Sequence, residues 1–407
     1  MTAADVLLVA NNFPPVRGGS GVVYANLARC AARRILVLAP RLGYADGLPL
    51  IGWREYDRTA PFRVVRLPLL RTIIGERLGI VTKTVFRAHD ILIRGRVAWA
   101  VLRLLLRERP RAVCIGELLA SGWLLELLRH VPGLRRLVYV HGEEITTDDD
   151  YDPGFRRRRR ALLAADRIVV VSRFTRRAVL DLLGEAEAGR IVLIENGVDT
   201  GRFRPAPRDP ELLVRYRLDG QFVFVTVCRL LEKKGVDQAL RAFARLWPEH
   251  PDTRYLIVGS GPYEPALRAL VAELGLAGAV VFAGNVAEQE LVAHYRLGDV
   301  FVMPNRALPN GDTEGFGLVF LEANGCGLPV IAGRDGGSAD AVRDGENGLV
   351  VDGNSVAEIH AAMRRLREDA GLRARLGRLG LAAALAADWT SRAETFLRVC
   401  VAPQPAA

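Results

Sequence analysis

Residues 312–337 read DTEGFGLVFLEANGCGLPVIAGRDGG, and this stretch decides how the rest of the chain is interpreted. It predicts a polar loop carrying Glu314, then an apolar helix over residues 318 to about 324 with one acid, Glu322. Glycines end that helix, and residues 328–332 have the composition of a buried strand. A lone acid on a helix usually lies in water or meets an arginine. Two acids separated by a glycine-containing helix start instead favour a site for phosphate or hydroxyl oxygens.

The length and composition favour a two-domain globular protein. The chain has 407 residues, half of them hydrophobic, which is too long for a single core. Its five cysteines are scattered, so neither a disulfide framework nor a zinc site is indicated. Residues 1–10 do not have the pattern of a signal peptide, and no charge-free stretch reaches membrane-spanning length. We therefore expect a cytoplasmic protein.

Charge is distributed unevenly along the chain. The net charge is +10; residues 1–200 hold 32 Arg/Lys against 21 Asp/Glu, whereas residues 201–407 hold 24 against 25. Basic residues recur through residues 69–106, and residues 97–106 have a helical pattern with arginines on one side and Trp99 among the apolar ones on the other. Such a segment can lie on an anionic membrane or form an ordinary surface helix. No nucleic-acid recognition module is present, so nucleic-acid binding is not expected.

Strand-like apolar runs alternate with helical patterns in both halves of the chain. This alternation predicts an α/β fold made of two doubly wound, Rossmann-like domains. We place the N-terminal domain at residues 1–203 and the C-terminal domain at residues 204–385. Residues 204–208 read RPAPR and have the composition of a linker, and a helix at about 386–400 is expected to pack back on the first domain.

Several residues follow predicted strands, where ligands of parallel sheets bind. Gly18 and Gly19 come after the first strand and allow close approach to a helix N-terminus, although a simple turn explains them equally well. Their spacing is not that of a dinucleotide-binding loop. His141 ends a later strand and is a site candidate, although a lone histidine is usually structural. Arg229 and Lys234 flank a strand end and a helix start, where an anion would lie; solvated loop residues are the alternative.

Three consecutive aspartates at residues 148–150 raise the question of a metal site. A solvated acidic loop, with its acids paired to the arginines of residues 156–160, is the favoured interpretation. No other acid pattern indicates a metal.

With Arg229, Lys234, Glu314 and Glu322 identified, the sequence resembles the retaining GT-B glycosyltransferases of family 4 over nearly its whole length. The Glu-x7-Glu pattern from Glu314 to Glu322 is the most specific part. The supporting segments are RLLEKKG at residues 229–235, VGSGP at 258–262, NGVD at 196–199 and PPVRGG at 14–19. The resemblance implies two domains facing across a cleft. It also implies transfer of a hexosyl unit from a nucleotide-diphosphate sugar to an acceptor hydroxyl, with the anomeric configuration retained.

The resemblance further implies roles for single residues. Arg229 and Lys234 would hold the donor diphosphate, Glu322 the ribose, and Glu314 the donor sugar. His141 would lie on the acceptor side, near the sugar, and completes the expected catalytic set with Arg229, Lys234 and Glu314. The expected donor-binding set is Gly18, Gly19, Arg229, Lys234, Gly259, Asn285, Val286, Glu314, Gly315, Phe316, Gly317, Leu318 and Glu322.

The expected partners are a nucleotide-sugar donor and a glycan, lipid-linked or small-molecule acceptor. The basic first half favours peripheral contact with the anionic inner face of a membrane. No metal or other cofactor is expected, since arginine and lysine would stabilise the leaving diphosphate. Paired carboxylates often indicate double displacement. Here both acids have other assignments, so we expect a front-face route in which the leaving phosphate assists the acceptor. The alternatives are an epimerase or phosphorylase on the same fold and a non-catalytic surface-binding protein.

Overall fold

The computed structural model describes residues 4–16, 18–73, 80–148 and 152–402, with side chains from residue 84 onward in the helix that begins at residue 80. The chain forms two compact units. Unit 1 consists of Met1–Val171, Thr175–Ile194 and Trp389–Ala407, and unit 2 of Ser172–Phe174 and Glu195–Asp388.

Unit 1 is built on a seven-stranded sheet in which all the strands are parallel. The strands are β1 Val6–Val9, β2 Ile35–Pro40, β3 Arg63–Leu67, β4 Ala112–Ile115, β5 Arg135–Val140, β6 Arg167–Val170 and β7 Ile191–Leu193. Their order in the sheet is β3-β2-β1-β4-β5-β6-β7, so the topological switch point lies between β1 and β4. β1, β2 and β4 are buried along their whole length, as expected for a parallel sheet covered on both faces.

The helices of unit 1 cover this sheet. They are α1 Gly19–Cys30, α2 Trp53–Thr59, α3 Ile80–Glu108, α4 Leu118–Ser121, α5 Trp123–Leu128, α6 Glu143–Thr146, α7 Arg156–Ala164 and α8 Arg173–Leu183. The helical pattern of residues 97–106 is only the last part of α3, which begins much earlier than its sequence indicated.

Unit 2 repeats the design with a six-stranded parallel sheet. The strands are β8 Phe222–Val227, β9 Thr253–Val258, β10 Val280–Gly284, β11 Val300–Met303, β12 Val330–Gly333 and β13 Gly348–Val351. They lie in the order β10-β9-β8-β11-β12-β13, which places this switch point between β8 and β11. The helices are α9 Pro210–Tyr216, α10 Val236–Leu246, α11 Glu264–Glu273, α12 Leu291–Arg296, α13 Leu318–Gly325, α14 Ser338–Ala341, α15 Val356–Glu368 and α16 Ala370–Ala386. The predicted pair of Rossmann-like α/β sheets is confirmed.

The last helix, α17 Trp389–Val401, belongs to unit 1. Its Phe396 ring packs 5.9 Å from the ring of Tyr139 on β5, and Arg135 Nη1 donates a 2.9 Å hydrogen bond to the Val399 carbonyl oxygen. Across the described parts of the chain, no helix combines the length and apolar content required to cross a bilayer.

The boundary between the units differs from the predicted one at residues 203/204. Unit 2 already begins at Glu195, and residues 204–208 are not the point of division. Packing explains the difference: the Val198 N–H donates to the Ala387 carbonyl oxygen at 2.8 Å, and Phe203 is buried with its ring 5.7 Å from that of Tyr295. The segment before the proline-rich stretch is therefore part of the second core.

Candidate functional site

The loop after β8 is held close to the end of β11, at the switch point of the unit 2 sheet. After Arg229 the chain makes a 3-10 turn at Glu232–Lys234 and enters α10 through Gly235, whose φ is +71°. A Cβ atom at Gly235 would lie 1.9 Å from the Pro304 carbonyl oxygen. Only glycine allows this approach, which places both lysines of the turn beside the loop that precedes α13.

The two adjacent lysines have different roles. Lys233 is buried, and its Nζ donates to Asp312 Oδ1 at 2.6 Å and to the Thr313 carbonyl oxygen at 3.3 Å. The Arg306 N–H donates to the Lys233 carbonyl oxygen at 2.8 Å and ties the same two loops together. Lys234 instead forms an ion pair with Glu314. Lys233 is thus a structural link, and Lys234 is the cation presented at the predicted site.

Glu314 is an ionised carboxylate at neutral pH. Its burial acts to raise the pKa, but the neighbouring Lys234 ammonium outweighs burial and holds the pKa of Glu314 below its usual range. The Glu314 loop lies against a second glycine pair, since the Gly337 N–H donates to the Glu314 carbonyl oxygen at 2.7 Å. A Cβ atom at Gly337 would come within 1.9 Å of the Gly315 carbonyl oxygen. The loop position therefore depends on a bare backbone opposite it.

Helix α13 begins directly after this loop. Gly317 precedes the helix with φ +89°, a left-handed conformation that favours glycine. The backbone N–H of Phe316 points to the Glu314 carboxylate and lowers its pKa. Leu318 is the first helical residue, so the residues 316–318 named by the sequence lie at a helix N-terminus, where free N–H groups favour anions and hydroxyls.

Glu322 lies about one turn after the start of α13 and is half-buried. Tyr295 donates a 2.6 Å hydrogen bond to Glu322 Oε2, and the Tyr295 ring is itself fully buried against Phe301. Burial raises the pKa of Glu322, and the hydrogen bond from Tyr295 offsets part of that rise. The hydrogen bond from Tyr295 thereby fixes one carboxylate oxygen of Glu322.

Arg229 and Gly259 meet at the ends of β8 and β9. Gly259 has φ +122°, and a Cβ atom there would lie 1.9 Å from the Cys228 carbonyl oxygen, so the two strand ends approach closely. Arg229 is exposed and makes no ion pair with any residue that the structure describes. Its guanidinium is therefore available to an anion at the edge where Lys234 also lies.

Asn285 and Val286 follow β10 at the same carboxyl edge. The Gly259 N–H donates to the Gly284 carbonyl oxygen at 2.8 Å, which joins the two strand ends. Asn285 is exposed and Val286 is buried. Unit 2 therefore carries every predicted donor-binding residue from Arg229 to Glu322 along one edge of its sheet. Their assigned ligand contacts stay predictions.

In unit 1, His141 lies at the carboxyl end of β5. Its Nε2 atom is 2.7 Å from the hydroxyl of Tyr24, and its ring stacks on Tyr139 with 5.1 Å between the ring centroids. The backbone N–H of His141 donates to Glu144 Oε1 at 2.7 Å. Burial lowers the pKa of the imidazole to about 3, so the ring is neutral at physiological pH.

The sequence analysis missed Glu117, which joins β4 to β1 at the switch point of unit 1. Its two carboxylate oxygens accept hydrogen bonds from the backbone N–H groups of Asn11 at 2.6 Å and Asn12 at 2.9 Å. Burial raises the pKa of Glu117 to about 7, and burial raises the pKa of Glu144 to about 7 as well. His141 was predicted as a site residue because it follows a strand. Glu117 lies just beyond the end of β4, so the same criterion would have identified it.

Gly18 and Gly19 lie at the start of α1 in unit 1, as N-cap and first residue. A Cβ atom at Gly18 would meet nothing within 4 Å, so packing does not explain that glycine. The role of both residues beside the donor diphosphate stays a prediction.

The predicted pairing of the acidic run with the arginines of residues 156–160 involves acids outside the described residues, so it stays a prediction. Asp149 and Asp150 lie outside the described residues. Arg158 is buried and pairs with Asp152, while Arg160 pairs with Glu126. These arginines are therefore used to fix α7 within unit 1.

Two family models match the chain. Residues 17–202 match glycosyltransferase family 4, and residues 212–381 match glycosyl transferases group 1. The GDP-mannose-dependent alpha-(1-6)-phosphatidylinositol monomannoside mannosyltransferase of Mycobacterium tuberculosis is 35% identical over 92% of each chain. The D-inositol 3-phosphate glycosyltransferase of Acidothermus cellulolyticus is 38% identical over 70% of this chain and 64% of that protein.

Solved structures share the fold at low sequence identity. Anabaena HepE, determined in complex with UDP and glucose, superimposes with a TM-score of 0.76 at 19% identity, covering 98% of this chain and 100% of HepE. WaaG, a glycosyltransferase involved in lipopolysaccharide biosynthesis, gives a TM-score of 0.64 at 16% identity, covering 98% and 100%. The two sheets and these likenesses define the GT-B fold class. The chain belongs to glycosyltransferase family 4, and the predicted enzyme class, a hexosyltransferase, is confirmed.

Proposed function

We propose that this enzyme transfers a mannosyl unit from GDP-mannose to a hydroxyl of a phosphatidylinositol mannoside acceptor. The observation that carries the donor half is the cation–acid arrangement at the unit 2 edge, where Lys234 pairs with Glu314 and Arg229 stands free. The named activities of the mycobacterial relatives support the choice of sugar, nucleotide and lipid acceptor.

The chemistry asked of the site is the release of a nucleoside diphosphate. Negative charge grows on the leaving phosphate as the glycosidic bond breaks. Lys234 and Arg229 would hold that charge, and the N–H groups at the start of α13 would bind the sugar beside it. A fixed donor of this kind contributes about 10²–10³-fold in rate.

We propose that the sugar is transferred with retention by a front-face route. Glu314 is a poor nucleophile, because Lys234 and the Phe316 N–H already engage its carboxylate. Glu322 is bonded to Tyr295 and assigned to the ribose. The leaving phosphate oxygen would take the acceptor proton while the acceptor oxygen attacks on the same face. Isolation of a mannosyl ester on Glu314 by mass spectrometry would overturn this route in favour of double displacement.

Donor identity is tested by the thermal stability of the full chain with GDP, UDP, ADP and their sugars. A nucleotide at 100 times its Kd stabilises the folded state by about 2.7 kcal/mol. We expect GDP and GDP-mannose to raise Tm most, and Lys234→Ala to reduce that shift. A larger shift with UDP-sugars would overturn the choice of nucleotide alone. The absence of any nucleotide-induced shift would contradict the proposed function.

Acceptor identity is tested with radiolabelled GDP-mannose, phosphatidylinositol mannoside and D-inositol 3-phosphate. Label in the lipid fraction supports the proposal, and label in the inositol phosphate instead would overturn the acceptor. Net consumption of donor with water or phosphate alone would indicate the alternative epimerase or phosphorylase activity.

We also propose that α3 holds the enzyme at the anionic inner face of a membrane. Val85, Leu92, Trp99 and Leu106 recur every seven residues, which places them on one side of the helix. Each of these side chains is between 62% and 79% exposed. The opposite side of the helix carries Ile93, Val97 and Val101, which are buried in the core.

The exposed stripe of α3 is bordered by arginines. Arg96, Arg103 and Arg107, which lie beside this stripe around the helix, are exposed. From residue 84 onward the helix has two acids, Asp90 and Glu108, and both pair with arginines, Arg94 and Arg63. Arg77 of the basic segment lies outside the described residues. An apolar stripe with basic flanks is complementary to a bilayer rich in anionic lipids.

Vesicle co-sedimentation tests this contact. Each arginine near an anionic surface contributes about 1 kcal/mol, so Arg103→Ser is expected to weaken binding about fivefold. Trp99→Ser is expected to weaken binding to anionic vesicles as well, whereas Arg241→Ala, an exposed cation of α10, leaves it unchanged. Equal binding of the wild type to purely zwitterionic vesicles, or insensitivity to salt, would contradict the proposal.

A further inference from the structure

The ring of His141 makes a hydrogen bond whose direction is fixed by its neighbours. Its Nε2 lies 2.7 Å from the hydroxyl of Tyr24, and that hydroxyl also bonds to the Gly116 carbonyl oxygen. A carbonyl oxygen can only accept, and a tyrosine hydroxyl has one proton to give. The Tyr24 proton is therefore committed to Gly116. The Tyr24 oxygen must then accept, and Nε2 of His141 must donate.

The charge states of both side chains agree with this direction. Burial, with Glu117 and Glu144 adding to it, keeps the pKa of Tyr24 well above its usual range, so the hydroxyl keeps its proton. Burial also keeps His141 neutral, so its ring carries one N–H. That proton lies on Nε2, and Nδ1 is left with a bare lone pair. Within the described residues, no group donates a hydrogen bond to Nδ1.

We propose that Tyr24 is a positioning residue that fixes His141 as the Nε2–H tautomer, so that the ring offers its bare Nδ1 to a substrate hydroxyl. This inference rests on the proposed function, since it takes a hydroxyl of the sugar or the acceptor as the donor group. The diphosphate oxygens of a nucleotide sugar carry no proton at neutral pH and cannot donate to Nδ1. His141 therefore serves a hydroxyl, and the leaving diphosphate is left to the lysine and arginine of unit 2.

A second buried histidine supplies an internal reference. In unit 2, Nδ1 of His294 lies 2.8 Å from the Glu290 carbonyl oxygen, and its Nε2 lies 3.0 Å from the hydroxyl of Tyr216. The carbonyl can only accept, so Nδ1 of His294 donates there, and Nε2 lies within hydrogen-bond distance of the Tyr216 hydroxyl. In the two histidine–tyrosine pairs a different ring nitrogen is therefore committed as a donor: Nε2 in His141 and Nδ1 in His294.

The tautomers can be read directly from the ring ¹⁵N resonances of the full chain labelled at histidine, because a bare ring nitrogen and an N–H nitrogen resonate far apart. We expect a bare Nδ1 in His141, unchanged over about pH 5 to 8, and an N–H on Nδ1 of His294. Tyr24→Phe should shift the His141 resonances and leave His294 unchanged, and Tyr216→Phe should do the reverse. An N–H on Nδ1 of neutral His141, or a charged His141 ring in that range, overturns the proposal.

Activity tests which nitrogen meets the substrate. The amide of asparagine occupies the region of Nδ1, whereas that of glutamine reaches the region of Nε2. We expect His141→Asn to keep about tenfold more kcat than His141→Gln, the effect of one hydrogen bond. Tyr24→Phe should lower kcat about tenfold, with the donor KM and the GDP-induced thermal shift unchanged.

The outcomes separate this inference from the proposed function. Equal activity of the two His141 variants, or the reverse order, overturns the contact of Nδ1 with the substrate. If the predicted tautomers are observed in a chain that transfers no sugar, the proposed function fails and the positioning role of Tyr24 stands.

Discussion

The carboxyl edges of the two sheets occupy equivalent places in their folds and have opposite electrostatics. In unit 2 the edge carries cations, and its acid Glu314 is held ionised by Lys234. In unit 1 the edge carries Glu117, Glu144 and His141, which burial drives toward their neutral forms. Neither Glu117 nor Glu144 makes an ion pair with a residue that the structure describes.

This difference shows how one architecture supplies two kinds of binding surface. Both switch points present backbone N–H groups and strand ends in the same way. In unit 1 the N–H groups of Asn11 and Asn12 are already used by Glu117, so these two donors are not available to an anion. In unit 2 the side chains of Lys234 and Arg229 supply positive charge, and this edge can accept anions. An anionic leaving group suits the second, and neutral hydroxyls suit the first.

The largest expected effect comes from removing the cation of unit 2. Lys234→Ala takes away the charge that would stabilise the leaving diphosphate, so kcat/KM should fall about 10²–10³-fold. Steady-state kinetics with GDP-mannose measures the loss. Arg241→Ala removes an exposed lone cation of α10 and should leave kcat/KM within about twofold. A Lys234→Ala enzyme with wild-type kcat/KM would remove the basis of the comparison.

The acid of unit 1 is tested through the pH dependence of stability. Burial raises the pKa of Glu117 to about 7 in the folded chain, against an ordinary value of 4.5, so the folded state binds the extra proton between these pH values. The Glu117 contribution to stability is therefore full below about pH 4.5 and is lost as pH rises through 7. Glu117→Gln keeps one of the two acceptor oxygens and removes the charge.

We expect Glu117→Gln to gain stability relative to the wild type on going from about pH 5 to pH 8, by on the order of 2 kcal/mol. Urea unfolding of both proteins at matched pH values measures the difference, which cancels the titration of His141. Asp166→Asn, which alters the acid paired with Arg136, is the control and should show no such gain over this range. A difference that does not change with pH would show that Glu117 is an ordinary ionised carboxylate.

A smaller effect is expected at Glu322, the half-buried acid of α13. Glu322→Gln replaces charge-assisted hydrogen bonds to the ribose with neutral ones, which should raise the Kd of GDP about tenfold. Calorimetry with GDP and 2′-deoxy-GDP assigns the contact: the deoxy nucleotide should bind the wild type more weakly but the variant almost equally. Tyr295→Phe keeps the carboxylate and should change Kd less. If the deoxy penalty persists in the variant, Glu322 does not contact the ribose.

The sequence could reveal the unit 2 site because its features are local. Glu314 and Glu322 are separated by eight positions across a helix start, and Lys234 directly precedes a helix. Residues at these short spacings are close in space whenever the helix forms, whatever the rest of the fold. The two lysines could not be told apart in this way, since the burial of Lys233 depends on Asp312 and Thr313, far along the chain.

The contacts that assemble the unit 1 cluster could not be predicted from the sequence for the same physical reason. Glu117 meets Asn11 across 106 positions, and Tyr24 meets Gly116 across 92. No local pattern encodes these contacts; the parallel pairing of β1 with β4 brings them together. The boundary between the compact units differs from the predicted one for a similar reason. The proline-rich composition of residues 204–208 can be read from the sequence, whereas the packing of Phe203 against Tyr295 cannot.

The smallest expected effect is that of removing divalent metal. It tests whether unit 2 needs any cation besides its own side chains. We propose that transfer requires no divalent metal, since Lys234 and Arg229 supply fixed positive charge where the diphosphate leaves. EDTA should therefore change kcat by less than about twofold, and added Mg²⁺ should not restore activity to Lys234→Ala.

Among the described residues, the acid–histidine group with ligand atoms close enough to share an ion is Glu249, His250 and Glu368. It precedes β9, at the amino edge of the sheet, so His250→Ala is the matched control and should leave kcat unchanged with or without metal. A loss of activity in EDTA that Mg²⁺ reverses in the wild type and in His250→Ala would place an ion at the carboxyl edge. The side-chain cations of unit 2 would then be insufficient by themselves.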